Sequence, residues 1–300
     1  MSQRVSWVCV TEKAVFSPRD TAEDIVFDGK MWLSNGYYHG NVLTRDLWSS
    51  TDGATWTLVN SETPYDGYSE MVVYRGKMWA IKGSVWRSTD GVNWMQVCAR
   101  TPFGTRGYGE VMVHGGKMWQ LGSGEDVWHS TDGADWKCAA QHAPYGPRFA
   151  SGVVVFKGKI GVMGGATEKP NSPPEKSYPQ FTTQNDVWCS KDGTKWERVL
   201  EHAPWAPRMW FGIKVYRDRI WIIGGFDNAN GANLGDVWCT EDGVDWHQFA
   251  AEKTFSPRHE PTCYIYRDSL WVAAGNSWPV LNDVWLLTLP RTGTRPGARE

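Results

Sequence analysis

Much of what would shortcut a functional reading is missing from this 300-residue chain. Its six cysteines (Cys9, Cys98, Cys138, Cys189, Cys239 and Cys263) form no CxxC pair and no metal-ligand spacing, which leaves reduced strand thiols as the expectation. No run approaches the roughly 18 apolar residues of a membrane helix. The first ten residues lack the basic stretch and apolar core of a signal peptide. A formal net charge of -2 provides no global attraction to nucleic acid or to an anionic membrane. These absences predict a soluble, cytoplasmic chain that engages neither nucleic acid nor membrane. Helical periodicity is missing as well, and so are the Walker loop, the Gly-x-Ser-x-Gly elbow, HExxH and the dinucleotide fingerprint. No standard catalytic template applies.

What the chain does contain is tryptophan, 20 of them, with 32 glycines, and the tryptophans recur in a fixed frame. In Asp186-Val187-Trp188 to Trp196 the second Trp follows the first by eight residues, with Asp192-Gly193 between them. Copies run from Trp48 to Trp56, Trp86 to Trp94, Trp128 to Trp136 and Trp238 to Trp246, and Asp283-Val284-Trp285 is a partial sixth. Twelve residues after the second Trp stands an arginine: Arg106, Arg148, Arg208 and Arg258, with Arg19 at the same distance from Trp7. A unit of this kind is read as one supersecondary element repeated. Each copy resolves into four short strands, the second ending on glycine and an Asp-Gly turn joining the third to the fourth.

The topology follows from the ends of the chain. Trp7 to Arg19, ending Phe16-Ser17-Pro18-Arg19, parallels Trp246 to Arg258, ending Phe255-Ser256-Pro257-Arg258. The amino terminus therefore supplies the strand that the last repeat lacks. Six four-stranded units closed in this way describe an all-β, six-bladed β-propeller over residues 1–290, with a disordered Arg-, Pro- and Gly-rich tail over 291–300. The repeating tryptophans are then core between blades.

The arginine before the first strand, the Gly-Gly closing the second and the Trp further on (Arg208, Gly224-Gly225, Trp238) resemble kelch repeats over Ser6 to about Pro290. The turn Ser50-Thr51-Asp52-Gly53-Ala54-Thr55-Trp56 resembles the Asp-box of sialidases, one residue shorter. The kelch resemblance implies the propeller and leaves activity open, because such propellers serve as enzymes, lectin-like binders and adaptors. In sialidases the Asp-box is structural and lies away from the active site.

Function is expected where the copies differ. Long loops over blades four (166–185), five, six and one make an uneven wall around the channel mouth. Aromatic residues and His39, His142, His202 and His259 collect on that face. Five arginines (Arg19, Arg106, Arg148, Arg208, Arg258) are placed around the mouth, either gripping an anionic group or bonding loop carbonyls of their own blades. Blade two interrupts the ring, with Tyr68 at the aligned distance from Trp56.

The residues aligned at the start of the innermost strands are Glu23, Glu70, Glu110, Gly152, Gly212 and Thr262. Three carboxyls at one level on adjacent blades predict raised pKa values or a bound divalent cation, or else salt bridges to the arginines. No other cofactor is expected. The leading expectation is a monomeric small-molecule enzyme acting by acid–base chemistry of the isomerase, lyase or hydrolase type on a polar, anionic or sugar-like substrate. Glu23, Glu70 and Glu110 are its candidate catalytic groups. The five arginines with His202, His259, Trp205, Trp210, Tyr68 and Tyr108 are the candidate substrate contacts. Kelch propellers that epimerise sialic acid offer an analogy. The alternative is a non-catalytic module binding an acidic peptide or glycan.

Overall fold

The computed structural model describes residues 6–38, 42–168 and 181–289. His39, most of the blade-four insertion (169–180) and the tail fall outside the described residues. Within them, six antiparallel four-stranded sheets carry nearly all regular structure, and no helix is present. The innermost strands are Glu23–Phe27, Glu70–Tyr74, Glu110–His114, Gly152–Phe156, Gly212–Tyr216 and Thr262–Ile265. They surround the central channel, and in five of the six sheets the strands run outward in chain order. Blade six closes the ring: Ser6–Thr11 is its outer strand, antiparallel to Val284–Thr288, with Trp7 opposite Leu287. Trp7 is fully buried and packs edge-on against Phe255 at 5.0 Å. The donated strand thus covers an edge that would otherwise be exposed.

The Asp-Gly turn is built the same way in five blades. In blade one Ser50 Oγ accepts from Gly53 N at 2.8 Å, and Asp52 Oδ1 accepts from Ala54 N and Thr55 N at 2.9 and 2.7 Å. Trp56 Nε1 donates back to Gly53 O at 3.0 Å. The side chains of Ser and Asp replace strand partners for a backbone that has to reverse, so the motif needs short polar residues at those places.

The turn glycine also meets the neighbouring blade. A Cβ on Gly53 would lie 2.4 Å from Trp271, on Gly133 2.4 Å from Trp79 and on Gly193 2.3 Å from Trp119. Gly243 faces open space, because blade four carries Gly161 where the other blades place that Trp. Gly193→Ala is therefore expected to cost about 2–4 kcal/mol, combining overpacking with left-handed strain. Gly243→Ala pays only the strain, about 1–2 kcal/mol. Urea denaturation of both variants checks the difference; equal losses would contradict the inter-blade packing.

The arginines do not form a free ring at the mouth. Each reaches across its own blade to the Asp of the Asp-Val-Trp strand: Arg19 to Asp46, Arg106 to Asp126, Arg148 to Asp186, Arg208 to Asp236 and Arg258 to Asp283. The same Asp accepts from the following Trp, as Asp236 does from Trp238 Nε1 at 2.7 Å. Burial alone would raise Asp46, Asp126 and Asp236, yet the arginine hydrogen bonds prevail and hold them below the usual range. The arginine and the Asp-Val-Trp strand are thus two halves of one internal tie.

Blade two omits the tie. Ser84 stands in place of the Asp and accepts from Trp86 Nε1 at 3.0 Å. Tyr68 is not the counterpart of the arginines. Its φ of 60° and its place two residues ahead of the innermost strand match Tyr108 (59°), so Asp66 occupies the arginine position.

Candidate functional site

A cavity of about 390 Å³ occupies the channel. Two residues before each innermost strand the backbone turns left-handed: Thr21 (φ 53°), Tyr68 (60°), Tyr108 (59°), Ala150 (54°), Trp210 (55°) and Glu260 (50°). All six line the cavity. Such a backbone costs a non-glycine residue roughly 1 kcal/mol or more, and six glycines would avoid the cost. The strain is held by a chain of backbone hydrogen bonds around the rim: Ala150 N to Tyr108 O (3.1 Å), Trp210 N to Ala150 O (3.3 Å) and Glu260 N to Trp210 O (2.6 Å). Because the conformation is common to all six blades, only the side chains differ. Blades two, three and five present aromatic rings, with Tyr68 and Tyr108 centroids 5.6 Å apart and Tyr108 and Trp210 5.8 Å apart.

Below the rim, Glu23, Glu70 and Glu110 are the first residues of their strands and face one cavity. The Glu23 and Glu70 carboxyls lie within hydrogen-bonding reach of one another. Burial, with the Asp24 charge added, lifts Glu23 to about 7. Burial and the Glu23 charge lift Glu110 to about 8, against the pull of Lys214. Glu70, buried between the other two carboxyls, is raised well above its ordinary value. Opposite them, a side chain at Gly152 would strike Phe211 at 2.4 Å, and one at Gly212 would strike Cys263 Sγ at 2.5 Å. Those small residues are therefore required by packing.

One ammonium balances the carboxyls of the lining. Lys214 Nζ pairs with Asp24 Oδ2 at 2.8 Å across the channel, from blade five to blade one. Burial works against its charge, but the Asp24 carboxylate outweighs that and raises its pKa. At the rim, Glu260 and Asp20 are both pushed up by burial, and Tyr68 rises to about 12 through burial and the Glu260 charge. Two polar groups of the lining, Trp210 Nε1 and Ser151 Oγ, are buried without a hydrogen-bond partner.

No protein-family model matches the chain, and neither does any curated protein sequence. A solved structure described as "Structure of YjhT" superposes with a TM-score of 0.74 at 13% identity, covering 94% of this chain and 98% of that one. The chain is a six-bladed β-propeller, similar in fold to YjhT. With so few identical residues, the likeness to YjhT concerns the fold, and the chemistry has to be read from this chain's own channel.

Of the residues expected to form a site, Glu23, Glu70, Glu110, Tyr68, Tyr108 and Trp210 line the cavity together. His259 adjoins them, its ring 5.5 Å from Trp210. Others do not join them. Arg19, Arg106, Arg148, Arg208 and Arg258 spend their guanidinium groups inside the blades, so neither an anion grip nor a salt bridge to Glu110 is formed by them. Trp205 is 1% exposed, buried in the core against Trp246. His202 is exposed and bonds Asn185 Oδ1 at 3.1 Å.

Sequence reasoning missed Asp20, Asp24, Lys214 and Glu260. Glu260 was within reach, since it sits two residues past an arginine, as Tyr108 and Trp210 do. Lys214 and Asp24 gave no local signal, because they meet across the channel.

Proposed function

We propose that the chain is a small-molecule enzyme whose active site is the central channel, acting by proton transfer between Glu70 as acid and Glu23 as base. The observation that carries this reading is the carboxyl pair within hydrogen-bonding reach, with displaced pKa values and open to a ligand-sized cavity. A base near pH 7 beside a carboxyl that keeps its proton is what acid–base catalysis at neutral pH requires. The third carboxyl, Glu110, lines the same cavity and, once ionised, adds its charge to those that raise Glu70.

The substrate class follows from the lining. Five carboxyl side chains (Glu23, Asp24, Glu70, Glu110, Glu260) face one ammonium that is already paired. With the arginines committed elsewhere, an anionic substrate would meet repulsion. A neutral, hydroxyl-rich ring of sugar type fits better: the Tyr68, Tyr108 and Trp210 faces stack against it, and the carboxyls bond its hydroxyls. The reaction belongs to the isomerase, lyase or hydrolase type. The kelch-type motifs agree with a propeller scaffold for such a site, and this reading treats the chain as kelch-like.

Proton NMR of a panel of neutral sugars and polyols, incubated with the protein in D2O, tests the proposal. Conversion or solvent exchange of at least one compound is expected, with kcat/KM reduced about 10²–10⁴-fold in Glu23→Gln and in Glu70→Gln. Turnover that survives intact in Glu23→Gln, Glu70→Gln and Glu110→Gln would remove the channel from the chemistry. A sugar that binds with affinity indifferent to all three glutamates, and returns unchanged after prolonged incubation, would make the protein a binding module instead.

A further inference from the structure

We propose that Asp20, His259 and Glu260 form a divalent-metal site at the channel mouth, with its open side toward the cavity. Among the described residues these three are the only group of three or more His, Cys, Asp or Glu side chains whose ligand atoms all lie within 4.8 Å of one another. The Glu23, Glu70 and Glu110 set, where three oxygens were expected to be able to hold a cation, is not such a group.

Hydrogen-bond partners already orient the prospective ligands. His259 Nδ1 lies 2.6 Å from Asn233 Oδ1. The Asn233 amide is oriented by its own NH₂, which donates to Asn276 O at 2.9 Å, so it is the amide oxygen that faces the ring. Nδ1 must then carry the proton, which leaves Nε2 with a free lone pair. The ring is 4% exposed, and Nε2 has no hydrogen bond among the described residues. A buried imidazole whose acceptor nitrogen has no donor among the described residues points to a ligand.

The carboxylates are held in the same manner. Asn276 Nδ2 donates to Asp20 Oδ2 at 2.8 Å, and Asn276 Oδ1 accepts from Trp278 N at 2.9 Å, which fixes that amide too. Thr21 Oγ1 donates to Glu260 Oε2 at 2.5 Å. Each prospective ligand therefore has an outer partner that sets its direction, as metal ligands characteristically do.

The fold does not call for these residues. Asp20 and His259 occupy equivalent places, each bridging to the end of its blade's second strand (Asp20 with Tyr37, His259 with Asn276). In blades four and five the same places hold Phe149 and Met209, whose apolar side chains satisfy the scaffold. Polar donors appear only where blades one and six meet, and Glu260 adds a third from the next residue, which lines the cavity.

One imidazole nitrogen and two carboxylates make a borderline donor set, suited to Zn²⁺ or Mn²⁺ more than to Mg²⁺. Ligands about 2.1 Å from a tetrahedral ion lie roughly 3.4 Å apart, so separations that are all within 4.8 Å close by at most about 1.4 Å through side-chain rotation. Three protein ligands leave a coordination position for a substrate oxygen or water. This site stands apart from the carboxyl pair of the proposed reaction, and either can fail without the other.

Isothermal titration of the chelator-treated full chain with Zn²⁺, Mn²⁺ and Mg²⁺, without any substrate, is the test. One equivalent of Zn²⁺ or Mn²⁺ is expected, with Mg²⁺ at least 100-fold weaker. His259→Ala and Asp20→Asn should each weaken binding at least 100-fold, and Asn233→Ala about tenfold. Glu125→Gln, which removes a half-buried carboxylate paired with the exposed His142, should change nothing. In the wild-type protein loaded with Co²⁺, a paramagnetically shifted imidazole N–H resonance should report the ring held by Asn233. Less than half an equivalent bound, affinity unchanged in a folded His259→Ala protein, or no shifted imidazole resonance would each overturn the proposal.

Discussion

Arg208→Met is expected to lower folding stability by about 3–5 kcal/mol, the range for removing one partner of a buried ion pair. Arg208 is 0% exposed, bonded to Asp236 at 2.7 and 2.8 Å and to the carbonyls of Gly224 and Ala206. Without the guanidinium, Asp236 keeps only Trp238 Nε1 as a side-chain partner, and the carbonyls of Gly224 and Ala206 lose their donor. The double variant Arg208→Met/Asp236→Leu should recover part of the loss, because it no longer strands a buried charge, while Trp238 Nε1 then lacks its acceptor. Urea midpoints of the wild type, both single variants and the double variant complete the cycle. A loss under about 1 kcal/mol in Arg208→Met would mean that the pair is not a structural tie. It would return the arginine to the ligand-binding role that its position in the repeat first implied.

The second large effect is a stability that falls as pH rises, traced to the channel glutamates. Glu110 has an ordinary value of 4.5 and is held at about 8 in the fold. Between those values the folded chain binds more protons than the unfolded one. Its contribution is therefore complete below about pH 4.5 and is lost as pH climbs through 8. Each pKa unit corresponds to about 1.4 kcal/mol. Glu110 faces a cavity of about 390 Å³, large enough to admit water, which moderates the penalty to about 2–3 kcal/mol. Glu110→Gln keeps the shape of the neutral acid and cannot ionise. It should match the wild type at pH 5 and exceed it by that amount at pH 9, in urea denaturation at each pH. Parallel stability profiles for the two proteins would mean that Glu110 ionises freely and that the carboxyls are not confined together. The Glu23 charge is the main reason beyond burial that Glu110 is raised, so Glu23→Gln should lower its pKa.

The comparison of Arg106 with Glu110 shows what could be read from the chain. Both were placed correctly along their blade, since spacing in a repeat is a one-dimensional quantity. Their partners were not legible. Arg106 finds Asp126, 20 positions away, because the first and third strands of its sheet run in the same direction and so begin at the same end of the blade. Glu110 feels Glu23, in another blade, only because the ring closes. Tyr68 was set two places out of register, since blade two has neither the arginine nor the Asp that would have marked the frame. Trp205 looked like a loop aromatic, and only the packing of blade four on blade five buries it against Trp246.

The sequence by itself determined the blade count, the closure by Ser6–Thr11 and the level of each glutamate along the channel. Tryptophan spacing, Asp-Gly turns and strand alternation are local constraints that repeat until the ring is full. The tertiary structure decided which polar groups are free to act. It spent five arginines inside blades and brought Glu23 and Glu70 within hydrogen-bonding reach. It also set Lys214 against Asp24 across the axis and gathered Asp20, His259 and Glu260 where the first and last blades meet. These are contacts between residues far apart in the chain, and their energies depend on burial and distance, which spacing along the chain does not carry.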